Sequence, residues 1–158
     1  MRMKKTVIRN IIALVLTVIV FIGLADVSCA QIVIIVNKDN PIDNVSFKEL
    51  QQIYLGEKLS FSNRKSIVLG VDADIKQQFI KKLFNWSEIK FKQHWMNMIF
   101  SGASYVAPKE FKRLDELVRF ITLNEGSIAF IDITEVDENI KVVTVDGKLP
   151  ENEDYPLN

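Results

Sequence analysis

The chain has 158 residues, with 20 Lys and Arg balanced by 20 Asp and Glu, and a single cysteine, Cys29. A balanced charge without a polybasic run offers no surface for nucleic-acid phosphates and no site for a membrane headgroup. A chain of this length buries one core, and one cysteine builds no disulfide framework.

Residues 1–30 read as an export signal. Arg2, Lys4, Lys5 and Arg9 make a basic start, Ile11 to Leu24 carries no charge, and Ser28-Cys29-Ala30 supplies small residues for cleavage between Ala30 and Gln31. The apolar run is shorter than the roughly 20 residues that cross a bilayer, and a retained anchor is the alternative. Asp26, three positions before Cys29, speaks against acylation of that cysteine. Removing the segment takes away four basic residues and one acid, so the mature chain is mildly acidic.

Ile32 to Val36 is a run of branched aliphatics without polar alternation, which predicts a central parallel strand covered on both faces. Asn40-Pro41 marks a turn. Ser46 and Glu49 form a capping box flanked by Val45 and Leu50 as a hydrophobic staple, predicting a helix from Phe47 to Leu55 that Gly56 ends. Residues 57–66 read as loop, and Ile67-Val68-Leu69 as a short strand closed by Gly70. Asp72 or Asp74 is positioned to cap a helix bearing Ile75, Phe79, Ile80 and Leu83. Ser87 is positioned to cap one bearing Phe91, Trp95, Met98 and Ile99. Gly102 stops that helix, and 101–110 reads as a loop. A helix from Phe111 to Thr122 carries Phe111, Leu114, Val118 and Ile121 on one stripe before Asn124-Glu125-Gly126. Ser127 to Ile131 and Ile140 to Val145 read as strands, and the last residues as an acidic, frayed tail.

This alternation predicts an α/β fold: an open, mostly parallel sheet with helices on both faces. The expected organisation is a signal peptide over 1–30, one domain over 31–148 and an acidic tail over 149–158.

Three segments carry a resemblance. Val36 to Pro41 (VNKDNP), Phe47 to Gly56 (FKELQQIYLG) and Gly126 to Asp132 (GSIAFID) are similar, in order and approximate spacing, to one lobe of the phosphate-binding periplasmic proteins of ABC transporters. The resemblance covers nearly all of residues 31–136 and implies one lobe of a type 2 periplasmic-binding-protein-like fold. Two such lobes enclose a solute by closing on it. In that family the second strand runs into an arginine and a glycine-serine-glycine-threonine turn at a helix start, where backbone N–H groups, hydroxyls and a guanidinium hold the oxyanion. The matching stretch here is Gly70-Val71-Asp72-Ala73-Asp74-Ile75-Lys76-Gln77, which lacks the arginine, both turn glycines and both hydroxyls. The resemblance makes Asp72, Ala73, Asp74, Ile75, Lys76 and Gln77 the candidate ligand-binding residues. A carboxylate capping the helix occupies donors an anion would use. Two like unit charges at 4 Å repel by about 4 kcal/mol at an effective dielectric of 20. Lys76 offsets part of that repulsion.

Other chemistry finds little support. His94, the only histidine, lies at helical spacing between Phe91 and Trp95 and reads as a structural side chain. No HExxH pattern or second histidine suggests zinc, and Asp132, Glu135, Asp137 and Glu138 lack the spacing of a calcium loop. Ser101-Gly102-Ala103-Ser104 is not a nucleophile elbow, although this loop, with Ser104 and Tyr105, is suited to a contact surface. Trp86, Trp95, Phe79, Phe84 and Phe100 are the candidates for an apolar partner-facing patch.

The expectation is therefore a periplasmic, noncatalytic, solute-binding-like protein without cofactor or metal. It would recognise phosphate or another small oxyanion weakly, or only as a homodimer whose facing copies rebuild a cleft. The alternative is an accessory module that has lost solute binding and docks on an ABC transporter, an envelope sensor or a porin.

Overall fold

The computed structural model describes residues 31–62, 64–102 and 106–158. The signal segment, its cleavage site at Ala30, and Ser104 and Tyr105 lie outside the described residues.

The chain forms strands β1 (Ile32–Asn37), β2 (Asn44–Val45), β3 (Val68–Asp72), β4 (Lys109–Phe111), β5 (Ser127–Asp132) and β6 (Ile140–Val145), with helices α1 (Phe47–Tyr54), α2 (Lys76–Phe84), α3 (Glu88–Phe100) and α4 (Leu114–Leu123). The strands make one open sheet in the order β2-β6-β1-β5-β3-β4. β3 runs parallel to β4 and β5, and β2 runs parallel to β6. β1 is central and buried along its whole length, but it runs antiparallel to both β5 and β6, which corrects the expected parallel strand. An uninterrupted aliphatic run reports cover on both faces and carries no information about the direction of the neighbours.

That cover comes from helices on both faces. Ile32, Ile34 and Val36 point into a core with α1, α2, α3 and the chain's C-terminal residues, while Val33 and Ile35 point to Leu117 and Ile121 of α4. At α1, Ser46 Oγ accepts from Glu49 N–H at 3.1 Å, but the Glu49 carboxylate pairs with Lys58, so only half of the capping box forms. Gly56, at φ +74°, closes α1 in a Schellman turn: its N–H donates to Ile53 O, and Glu57 N–H donates to Gln52 O.

Four further expectations are corrected. Gly70 does not close β3 but lies within it, because Leu117 Cδ1 and the Ala129 Cβ would stand 2.9 and 3.1 Å from any side-chain carbon there. The predicted loop over 101–110 ends in a strand, and Phe111 belongs to β4 rather than to α4, whose buried stripe centres on Leu117 and Ile121. Neither Asp72 nor Asp74 caps α2: Asp72 is still paired in β3, and the N-cap position is Ile75, without a side-chain hydrogen bond. The C-terminal residues are not frayed. Tyr155 and Leu157 are buried in the core, and Leu157 O accepts from Lys82 Nζ at 2.8 Å.

Candidate functional site

Parallel pairing of β3 with β4 and β5 brings the carboxyl ends of these three strands to one edge of the sheet. Crevices outside such ends are the usual ligand sites of open α/β sheets. β3 ends at Asp72 and leads into α2, while β5 ends at Asp132 and leads into a 3₁₀ turn over Ile133–Glu135.

The edge is acidic. Asp72 Oδ1 accepts from Asp74 N–H at 2.9 Å, and Asp132 Oδ1 accepts from Thr134 N–H at 2.9 Å and from Thr134 Oγ1 at 2.6 Å. Burial raises the Asp72 carboxyl above the ordinary carboxylate value; the Asp74 N–H works against this, and the charges of Asp74 and Asp132 add to it. Burial likewise raises Glu135, reinforced by Asp72, Asp132 and Asp74. Four carboxylates from two strand ends thus act on one another. Among the described residues, no group of acids, His or Cys is arranged to hold a metal ion.

The candidate residues 72–77 do not converge on one site. Ala73 N–H is taken by Phe111 O at 2.9 Å. Ile75 is half-buried against the core. Asp74 and Gln77 line an open cleft of about 560 Å³ shared with Trp86 and Ser87. Lys76 turns the other way, into a groove of about 410 Å³ between α3 and β4. There its Nζ donates to Glu110 Oε2 at 2.5 Å and lies 3.5 Å from Glu88 Oε2. Burial pulls the Lys76 ammonium down, but Glu110 and Glu88 outweigh it and leave the group above its ordinary value. The cation expected to offset the aspartates is therefore already neutralised by two carboxylates.

Sequence reading missed Glu88, Glu110 and the approach of Asp132 and Glu135 to Asp72. Their only sequence signal was that Asp132 ends a strand; the partnership depends on β5 lying beside β3. The acidic run itself divides, since Asp137 accepts from Asn139 N–H at 2.7 Å in a local turn.

The residues that carried the resemblance are structural. Asn37 Nδ2 donates to Ile121 O at 2.8 Å and Thr122 O at 2.9 Å, and its Oδ1 accepts from Asp39 N–H at 2.8 Å. Asn40 Nδ2 donates to Glu125 O at 3.0 Å while its Oδ1 accepts from Ile42 N–H at 3.1 Å. Together they lock the turn after β1 to the end of α4. Gly126 is required by close approach, since a Cβ there would lie 2.1 Å from Ser66 O.

His94 takes the structural place expected of it, with Nε2 2.9 Å from Leu55 O and its ring beside Trp86 and Trp95. The proposed aromatic patch mostly dissolves into the core. Phe79 and Trp95 are buried and Phe84 and Trp86 pack against them, leaving Phe100 exposed together with Ile99 and Met96 of α3. Ser101 Oγ donates to Met98 O at 2.7 Å and has no base beside it among the described contacts.

The backbone resembles several solved structures. An ABC-type phosphate transport receptor from Vibrio cholerae superposes with a TM-score of 0.64 at 17% identity, covering 82% of this chain and 55% of that one. The chain has a periplasmic-binding-protein-like fold. A Clostridium perfringens protein, described as a phosphate ABC transporter substrate-binding protein and solved with bound phosphate, matches with a TM-score of 0.60 at 18% identity, over 77% of this chain and 49% of its own. PstS from Borrelia burgdorferi matches with a TM-score of 0.53 at 16% identity, over 75% and 48%. The chain thus spans about half the length of the structures it matches. No protein-family model matches the sequence, and no curated protein matches it.

Proposed function

We propose that this chain is a noncatalytic, periplasmic accessory domain that keeps the solute-binding fold, no longer binds phosphate tightly, and works by docking on another envelope protein. The observation that carries this reading is that Lys76 is held by Glu110 and Glu88 in the groove between α3 and β4, while the strand ends hold Asp72, Asp74, Asp132 and Glu135. An oxyanion arriving there meets like charge, and the Lys76 ammonium must first give up two partners. The basic, apolar segment over 1–30 supports export by a cleavable signal.

A second reading, weak oxyanion recognition by a homodimer, is favoured by the half-length match to a structure with bound phosphate. In it, the second copy supplies the donors this edge lacks.

Calorimetric titration of phosphate into the chain beginning at Gln31, with sulfate as control and the oligomeric state measured in the same sample, tests the proposal. No saturable heat at millimolar anion is the expected outcome. Saturable phosphate binding by a dimer would replace the first reading with the second.

A further inference from the structure

β4 is the outermost strand at its end of the sheet, and its register with β3 decides which main-chain groups are free. Ala73 N–H donates to Phe111 O, and Phe111 pairs with Asp72, so Phe111 directs its main-chain groups toward β3. Neighbouring residues of a strand address opposite sides. Glu110 therefore directs its N–H and C=O outward, where neither has a main-chain partner among the described residues. A row of such groups is a template for an added strand.

Beside this edge lies the groove of about 410 Å³ between β4 and α3, within the roughly 300–1,000 Å³ range of ligand sites. Phe91 and Trp95 form its buried floor, and Met96 and Ile99, 45% and 44% exposed, form an apolar rim on the far side from Pro108 and Glu110. Lys92, also on the rim, has no ion-pair partner among the described residues. Among the residues lining the groove, the Glu110 carboxylate and the Lys76 ammonium are spent on each other, and the charge without an ion-pair partner is that of Lys92.

We propose that an extended peptide adds to the β4 edge, bonding the Glu110 main chain, placing alternate apolar side chains against Ile99, Met96 and Trp95, and setting a carboxylate against Lys92. This rests on the reading of the chain as a protein-docking domain and names the chemistry of the partner segment. A second copy of the chain is a poor occupant. Symmetric antiparallel pairing centred on Glu110 sets Pro108 of each copy opposite Lys112 of the other. Pro108, two residues earlier on the same side, supplies no N–H to extend such a ladder.

The test is selection of random heptapeptides displayed on phage against the folded chain, followed by synthesis of the most enriched peptide. Enrichment of alternating apolar residues with a carboxylate is expected. The Ile99→Lys and Lys92→Glu variants, both at exposed positions, should each weaken the synthetic peptide by about tenfold or more. N-methylation of the peptide amide that bonds Glu110 should abolish binding, and bound peptide should protect the Glu110 N–H from hydrogen exchange. Absence of enrichment, or a peptide indifferent to both variants, overturns the inference. So does a dimer that Ile99→Lys dissociates, which would make a second copy the occupant. An envelope partner still captured by both variants would sink this groove while leaving the docking-domain reading intact, whereas saturable phosphate binding would sink that reading itself.

Discussion

Lys76 Nζ donates to Glu110 Oε2 at 2.5 Å, tying the start of α2 to the edge strand β4. The pair fixes the electrostatic character of the edge, since Lys76 is the cation of the segment where the resemblance implied an anion site. If that pairing and the aspartates are what exclude phosphate, removing them should bring binding back. The variant combining Asp72→Ser, Asp74→Gly, Glu88→Gln and Glu110→Gln should bind phosphate with a dissociation constant of about 1 mM, near −4 kcal/mol, where the parent chain gives no saturable heat. Calorimetry on both chains in the same buffer checks this.

Asn37 joins the end of β1 to the last turn of α4 through Ile121 O and Thr122 O. Replacing it with Ala takes the side-chain donor from Thr122 O and leaves Ile121 O with the Ser127 hydroxyl at 3.0 Å, and should cost about 1–3 kcal/mol. A urea melt followed by circular dichroism measures the loss. A midpoint within error of the parent would show that these bonds do not hold the end of β1 to α4.

Gly126 meets the backbone of Ser66 so closely that a methyl group there would overlap the carbonyl oxygen. Gly126→Ala should destabilise by about 1–3 kcal/mol, the usual cost of overpacking, with the thermal midpoint as readout.

Leu157 and Tyr155 are core residues although they lie in a segment otherwise rich in acids. Leu157→Ala should cost about 2–5 kcal/mol, and a chain ending at Asp154 should be less stable still. Denaturant unfolding of both chains decides between a packed and an ornamental C-terminus.

The acidic edge gives a dependence on pH whose sign is fixed. Asp72 and Glu135 are raised above ordinary values of 3.8 and 4.5, so the folded chain holds these protons more tightly than the unfolded chain. Their contribution to stability therefore increases as pH falls through the raised values toward the ordinary ones, and is unfavourable above that window. Asp72→Asn, which retains an oxygen for the Asp74 N–H, should raise the thermal midpoint at neutral pH. The advantage should shrink as the solution is acidified into the window. An advantage constant with pH would remove charge as its cause.

Much of the fold was legible because it rests on local rules. The Ser46 and Ser87 caps, the Gly56 stop, the turn glycine at Gly102 and the β6 boundaries are set by side chains within a few residues of where they act. Gly70 was misread because a glycine needed for close helix packing looks like one needed for a turn. β4 was missed because three residues flanked by charge show no period.

The sequence by itself determined the layered α/β architecture, the covered central strand and the presence of Asp72 and Asp74 at and just after the end of β3. Each follows from burial patterns or residue identity along a short stretch. Only the tertiary structure decided that β1 is antiparallel, that Asp132 and Glu135 share an edge with Asp72, that Lys76 is held by Glu88 and Glu110, and that β4 directs the Glu110 main chain away from β3. These are relations between strands and helices far apart in the chain, and their order is fixed by how the whole core closes, a quantity that no local window contains.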